Sequence, residues 1–344
     1  MPRLRNIIFI LLALPLFAFL PAQAGAQAVS NDPVQYAVAP DVPGPNQQTL
    51  IEVDGVGNFI GDSTITWSVN GKVIQKGIGA TRFTFTTGAL GTQTVVQVTV
   101  DSPSQGTFSR TFTFTPSTVN LVWESDTTVP PLFLGKPLYS AGSPLRVLAL
   151  PVIYAGKARV AASVLSYQWT VDDQADTSDS GLGRSVLAFA GDQLKTGEDV
   201  AVDVYYGSAK VAHGEVVIPA TSPALVLYER DPLRGLLTDS AFPASINLLG
   251  KEITLQAQPF YFSAPDFRAG NLTYAWQLNG TDASGPDSAS GILTLRQTGS
   301  GTGAAAIGVS LQNYGADSFV QQAQTSLQLV FGASGSLLNN LFGL

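Results

Sequence analysis

Few residues in this chain have side chains of the kind that perform chemistry. The 344 residues include one histidine and no cysteine. Thiol nucleophiles and cysteine metal sites are therefore excluded, and His213 alone cannot build a multi-histidine metal centre. One imidazole is enough for a Ser-His-Asp triad. Yet no G-x-S-x-G elbow stands on a strand-to-helix turn, and "VAHGEVVIP" around His213 reads as a surface turn before a final strand. Carboxylate pairs for glycoside hydrolysis come from distant positions, and nothing singles one out. A P-loop and a dinucleotide fingerprint are both missing. The densest set of hard oxygen ligands is "VDDQADTSDSG" (171–181), with Asp172, Asp173, Asp176 and Asp179. Calcium favours several oxygens from one short loop. However, the EF-hand spacing is absent, no Glu closes the loop, and Asp and Ser are ordinary turn residues. The reading is a solvated loop, with calcium as the alternative. No catalytic, cofactor-binding or metal-ligating residue is singled out, no cofactor is implied, and the chain reads as a non-enzyme.

The elements around these residues are strands. "TRFTFTTG" (81–88), "TVVQVTV" (94–100) and "RTFTFTP" (110–116) alternate apolar and polar residues, with β-branched and aromatic types dominant. Gly and Pro punctuate throughout. Only the last residues, "SLLNNLFGL", look helical. Many short strands separated by turns predict an all-β chain built of β-sandwiches.

One phrase occurs three times: "STITWSVNGK" (63–72), "LSYQWTVDD" (165–173) and "NLTYAWQLNG" (271–280). Trp67, Trp169 and Trp276 are 102 and 107 residues apart, too long for a solenoid repeat and right for a whole sandwich. Alternation puts Ile65, Trp67 and Val69 on one face, as it does Tyr167, Trp169 and Val171, and Tyr274, Trp276 and Leu278. Apolar companions two residues either side mark a core face, whereas a sugar platform needs none. Later segments recur around Phe83, Leu187 and Leu293, then as "VVQVTV", "VAVDVYY" and "AIGVSLQN". The second and third copies open alike, "LVWESD" against "VLYERD". The expected layout is three tandem Ig-like (PKD-like) domains at 29–117, 118–220 and 221–333. Short Pro-bearing linkers, "TPSTVN" and "PATSPA", join them into a semi-rigid rod.

The amino terminus predicts export. Arg3 and Arg5 precede the apolar run from Ile7 to Leu20, and two "AQA" triplets follow. That is the layout of a signal peptide over 1–28, cleaved after Ala24 or Ala28. The run falls short of the ~20 residues of a spanning helix, and Pro15 interrupts it, which argues against a retained anchor. Losing Arg3 and Arg5 takes the net charge from −7 to −9. A weakly charged acidic surface argues against a nucleic-acid partner, which wants a basic patch. Without cysteine, each domain must stand on its own buried core, for which about 100 residues suffice. At the other end, residues 334–344 place Leu337, Leu338, Leu341, Phe342 and Leu344 after a flexible "GASGS". This tail either packs back on the third domain or contacts a membrane or a partner; its lack of basic residues weakens the membrane version.

The thrice-written Trp phrase and the strands after it resemble PKD-type and related Ig-like modules of uncharacterised bacterial secreted proteins. The resemblance covers most of the mature chain. It implies a spacer, adhesion or surface-assembly role and supplies no catalytic residue. The expected function is a non-enzymatic extracellular or cell-surface rod with protein partners. The alternatives are a glycan-binding module, which would cluster Tyr205, Tyr206, Phe260, Tyr261 and Phe262 on one face, and a β-scaffold hydrolase, which would need a deep pocket of carboxylates or His213.

Overall fold

The computed structural model describes residues 33–56, 58–314 and 321–332. Residues 1–28, read above as a signal peptide, and the carboxyl tail lie outside the described residues. The chain is all-β, as alternation predicts: three β-sandwiches follow one another, each with its own core.

In the first, β1 (Val34–Ala39), β2 (Gln48–Gly55) and β5 (Arg82–Thr86) form one sheet. The other has the order β4-β3-β6-β7, from β3 (Thr64–Val69), β4 (Lys72–Ile78), β6 (Thr94–Ser102) and β7 (Gly106–Phe114). In the second, β8 (Thr118–Ser125), β9 (Pro144–Val152) and β14 (Val186–Ala190) face the order β13-β12-β15-β16. Those four are β12 (Ser166–Val171), β13 (Gln174–Leu182), β15 (Gly197–Tyr206) and β16 (Ala209–Pro219); β10 (Tyr154–Ala155) and β11 (Ala158–Arg159) make a small hairpin beside them. In the third, β17 (Ala224–Asp231), β18 (Gly235–Ala241), β20 (Glu252–Phe260) and β23 (Ile292–Arg296) run in the order β18-β17-β20-β23. Opposite lies β19-β25-β24-β21-β22, made of β19 (Ser245–Asn247), β21 (Leu272–Leu278), β22 (Thr281–Ala283), β24 (Gly303–Asn313) and β25 (Gln322–Phe331). The short strand β19 joins β25 in parallel.

The repeated phrase becomes the same strand each time. β3, β12 and β21 each pair with the next long strand of their own sheet, β6, β15 and β24. The segments around Phe83, Leu187 and Leu293 become β5, β14 and β23, on the opposite sheet. Trp67, Trp169 and Trp276 are 0%, 1% and 2% exposed, so they fill cores and offer no platform. Each ring nitrogen donates to a backbone carbonyl before that opposite-sheet strand: Trp67 to Ala80 at 2.8 Å, Trp169 to Arg184 at 2.9 Å, Trp276 to Ser288 at 3.2 Å. A buried indole N–H needs such a partner. The turns after the phrase have left-handed pairs, Asn70–Gly71, Asp172–Asp173 and Asn279–Gly280. That is the geometry a two-residue hairpin of type I′ demands.

Helical structure departs from expectation. Two short helices, α1 (Phe59–Asp62) and α2 (Ala264–Ala269), stand where only strands and loops were expected. The sequence carries signals for α2: Ser263 at the N-cap, Pro265 in the first turn, and Gly270 left-handed at the C-cap. Its six residues are too few to register as a period, so the signals are legible only one by one.

Trp169→Ala removes the ring and leaves a cavity between the sheets, a change that costs about 3–5 kcal/mol for a buried aromatic. Chemical unfolding should show that loss, whereas Trp123→Ala, at a half-exposed position, should lose clearly less.

Candidate functional site

The most elaborate polar structure is the joint between the second and third sandwiches. Residues 126–143 connect β8 to β9, a span well beyond the usual ~12–15-residue limit for a structureless loop. The start of this loop runs antiparallel to the end of β20 and the chain beyond it. Thr128 N donates to Phe262 O and Tyr261 N to Thr128 O, both at 2.7 Å, and Ala264 N donates to Asp126 O at 2.9 Å. Thr127 sits opposite Ser263 in a β-bridge. Two sandwiches are thus joined by a fragment of shared sheet.

Gln321 locks the centre of the joint and is 4% exposed. Its Nε2 donates to Ser140 Oγ at 2.9 Å, and to Ala141 O and Ser143 Oγ at 3.0 Å. Its Oε1 accepts from Ser263 N at 2.9 Å and from Asn313 Nδ2 at 3.3 Å. Asp266 of α2 accepts from Asn271 and Asn313, both at 3.0 Å. Burial pushes the Asp266 carboxyl up, but hydrogen bonds from Asn313, Ser263 and Asn271 outweigh it and leave the pKa below the ordinary value. At the rim, Arg268 pairs with Asp126 at 2.6 Å across the joint. That pair is exposed and contributes little.

Beneath this joint a carboxylate is sealed in the second sandwich. Glu198 is 1% exposed and Tyr139 is fully buried. Tyr139 Oη donates to Glu198 Oε1 at 2.6 Å, and Asp192 N donates to the same oxygen at 2.5 Å. Tyr139 O accepts from Thr221 N of the linker at 2.7 Å. Gly191 lies so close to the Tyr139 hydroxyl that a Cβ there would collide with it. Burial raises the pKa of Glu198, and the neighbouring Asp172 carboxylate adds to the rise. Asp172 moves the other way: burial opposes it, but Lys195 at 2.7 Å, the Asp199 amide and Glu198 hold it low. Two carboxyls pushed apart in this way resemble an acid–base pair. A side chain 1% exposed reaches no substrate, so the pair is a structural fixture of the joint.

The residues singled out from sequence are dispersed. His213 lies on β16, opposite Asp203 of β15, instead of in a turn. Its Nδ1 stands 2.7 Å from Asp203 Oδ1. Its Nε2 faces the exposed Glu215 carboxylate at 3.9 Å, where a triad would place a nucleophile. Lys210 pairs with Asp203 at 3.0 Å and with Asp41 of the first sandwich at 3.2 Å, tying the first joint. The Asp cluster is spread along a hairpin. Asp172 faces Lys195, Asp176 accepts from Ser178 Oγ and Asp179 N, and Asp179 accepts from Ala188 N. Among the described residues, no three His, Asp or Glu side chains gather where a metal ion could sit. Glu124 and Asp126 share a shallow concavity, each ion-paired, with Arg146 at 3.3 Å and Arg268 at 2.6 Å.

The five aromatics do not form one face. Tyr205 and Tyr206 end β15, near Lys210 and the first sandwich, while Phe260 and Tyr261 lie at the second joint. Phe262 is fully buried. What gathers instead is Phe260 with Tyr261 and Phe133, ring centroids 5.8 Å apart in each pair. Phe133 comes from the loop "PPLFLG", whose Leu132 and Leu134 are almost wholly exposed. Sequence pointed to Phe260 and Tyr261 but not to Phe133, which lies over 120 residues away.

No family model and no curated protein matches the chain. Solved structures of tandem arrays do. The three N-terminal domains of the bacteriophage RB49 Highly Immunogenic Outer Capsid protein match 87% of this chain and 97% of theirs, at 13% identity and TM-score 0.26. The central fibronectin-III array of RIM-binding protein matches 87% and 97%, at 16% identity and TM-score 0.29. Fibronectin(III)-like modules of Clostridium thermocellum CbhA match 54% and 94%, at 12% identity and TM-score 0.25. Likeness at this level says nothing of what this chain binds.

Glu198→Gln tests the buried pair. A folded-state pKa raised above the unfolded value gives a contribution that is full below the unfolded pKa and lost as pH rises through the folded one. The substituted carboxamide cannot ionise and keeps an acceptor for Tyr139. The variant should therefore match or exceed the parent in stability at pH 7, with its advantage shrinking as pH falls through the raised Glu198 pKa and gone below about 4, the ordinary Glu range. Glu198→Ala takes the shared acceptor from the Asp192 amide and leaves the Tyr139 hydroxyl only Asp192 O at 3.4 Å, and should cost about 1–3 kcal/mol at either pH. Thermal unfolding across the pH series reads both.

Proposed function

We propose that this chain is an exported, non-enzymatic rod that acts at the cell surface or outside the cell as a spacer and protein-interaction scaffold. Its units are residues 29–117, 118–220 and 221–333, following a signal peptide cleaved after Ala24 or Ala28. The observation that carries this reading is the second joint. The Gln321 carboxamide and a shared strand fragment hold two sandwiches at a fixed angle. Flexible linkers need no such network; a spacer that must keep its reach does. Resemblance to modules of bacterial secreted proteins agrees with that use, as does the weakly charged acidic composition.

A protein without cysteine takes spin labels cleanly at Ser208→Cys and Ser300→Cys, on either side of this joint. The parent should give one narrow distance distribution. Gln321→Ala takes the acceptor from the buried Ser263 amide and a donor from two hydroxyls and a carbonyl, a loss of about 1–3 kcal/mol, and should broaden it. A parent distribution already broad would sink the rod.

A second reading, glycan binding or adhesion, has the Phe133–Phe260–Tyr261 group in its favour, since half-exposed rings are what stack on sugars. It expects a glycan-array signal that Phe133→Ala reduces at least several-fold. A blank array with the parent removes it.

A further inference from the structure

In each sandwich the hairpin turn after the Trp strand marks the same end of the unit. That end is fixed each time by one backbone bond: Asn70 N to Val95 O, Asp172 N to Asp199 O, Asn279 N to Ala306 O. In the first two units this end is closed. On the first, Gly91 abuts the Tyr154 ring of the second unit and donates to Pro116 O. On the second, Tyr139 fills the core opening with no exposed surface. The third differs. Its end opens into a mouth of about 420 Å³ between the two sheets, lined by Leu248, Leu278, Leu295, Ala305, Leu329 and Phe331. Leu248, Leu278 and Leu295 pack against the core yet remain only half-buried. An open apolar core end loses the burial energy that its side chains would otherwise contribute.

The chain leaves the third sandwich at the rim of this mouth. β25 ends at Phe331, a lining residue, and Gly332 packs against Gly301 and Thr302. Residues 333–344 follow, "ASGSLLNNLFGL", with five large apolar side chains and no charged one. Four small residues precede Leu337, and at ~3.3–3.6 Å per residue they reach far enough to turn it back into the mouth. The mouth suits an uncharged occupant, because its one charged lining residue, Arg296, is already paired with Glu252 at 2.5 Å.

We propose that residues 333–344 of the same chain dock into this mouth through Leu337, Leu338, Leu341 and Phe342. The tail does for the third sandwich what the next unit and Tyr139 do for the first two. This goes beyond the rod reading and stands or falls without it, since a rod needs no closed end.

The test is thiol labelling of the full chain carrying Gly343→Cys, in which no other thiol reacts. Docking should slow labelling tenfold or more relative to the unfolded chain, the factor that about 1.4 kcal/mol gives. The slowing should not change with protein concentration. Ala305→Phe fills the mouth and should restore fast labelling, with amide hydrogen-exchange protection of β21 and β24 reporting that the third sandwich is folded. Three results overturn the proposal. Labelling as fast as in the unfolded chain means the tail is free for a membrane or another partner. Protection that grows with concentration means a second copy's tail is the occupant. Protection that survives Ala305→Phe in a folded protein means the tail binds elsewhere.

Discussion

A sandwich without a disulfide holds together only if its two sheets share a dry core, and here one ring in each unit sets that core. The Trp sits on a central strand, reaches across to the opposite sheet, and donates its N–H to a carbonyl just before a strand of that sheet. The ring therefore fixes the sheet spacing by its bulk and the offset between sheets by its hydrogen bond. The remaining core residues pack around it: Phe83 stacks on Trp67 at 5.0 Å, and Leu187 and Leu293 occupy the matching places in the other units. Burying some ~150–250 Å² per aromatic is how a domain of this size gains stability without covalent staples.

The joints rest on different physics. Apolar burial is non-directional and would leave two sandwiches free to slide over one another. The second joint is made of directional bonds: strand-like pairing between residues 126–128 and 261–264, and a carboxamide that satisfies two hydroxyls, a carbonyl and an amide. Such a network is favourable only when complete, since one missing partner leaves a buried polar group unpaired. It defines one angle instead of a range. The Glu198–Tyr139 pair extends the same logic inward, linking the joint's linker at Thr221 to the core of the second unit.

This division also accounts for where sequence reading fails. A period of two survives any tertiary context, so β3, β12 and β21 and their buried faces were legible, as were the Asn-Gly turns. Aromatic residues were misplaced as a group. Phe260, Tyr261 and Phe262 look alike in sequence, but β20 ends at Phe260 and Tyr261 takes a left-handed φ of 62°, which breaks the alternation, sends Phe262 into the core and leaves Phe260 to meet Phe133. The helix α2 was missed because one and a half turns carry caps but no period.

By itself the sequence determined the all-β class, the three Trp-centred cores and the turns between their strands. Each of these is a local pattern, set by side-chain alternation and by which residues tolerate a positive φ. Only the tertiary structure decided that Gln321 meets Ser140 and Ser143, that Glu198 is sealed beneath Tyr139, that His213 faces Asp203 across a ladder, and that the third core ends in an open mouth. Those contacts join residues tens to hundreds of positions apart. Ser, Gln and Glu are also the residue types equally at home on a surface, so their burial is written in the packing of whole sheets and in no stretch of sequence.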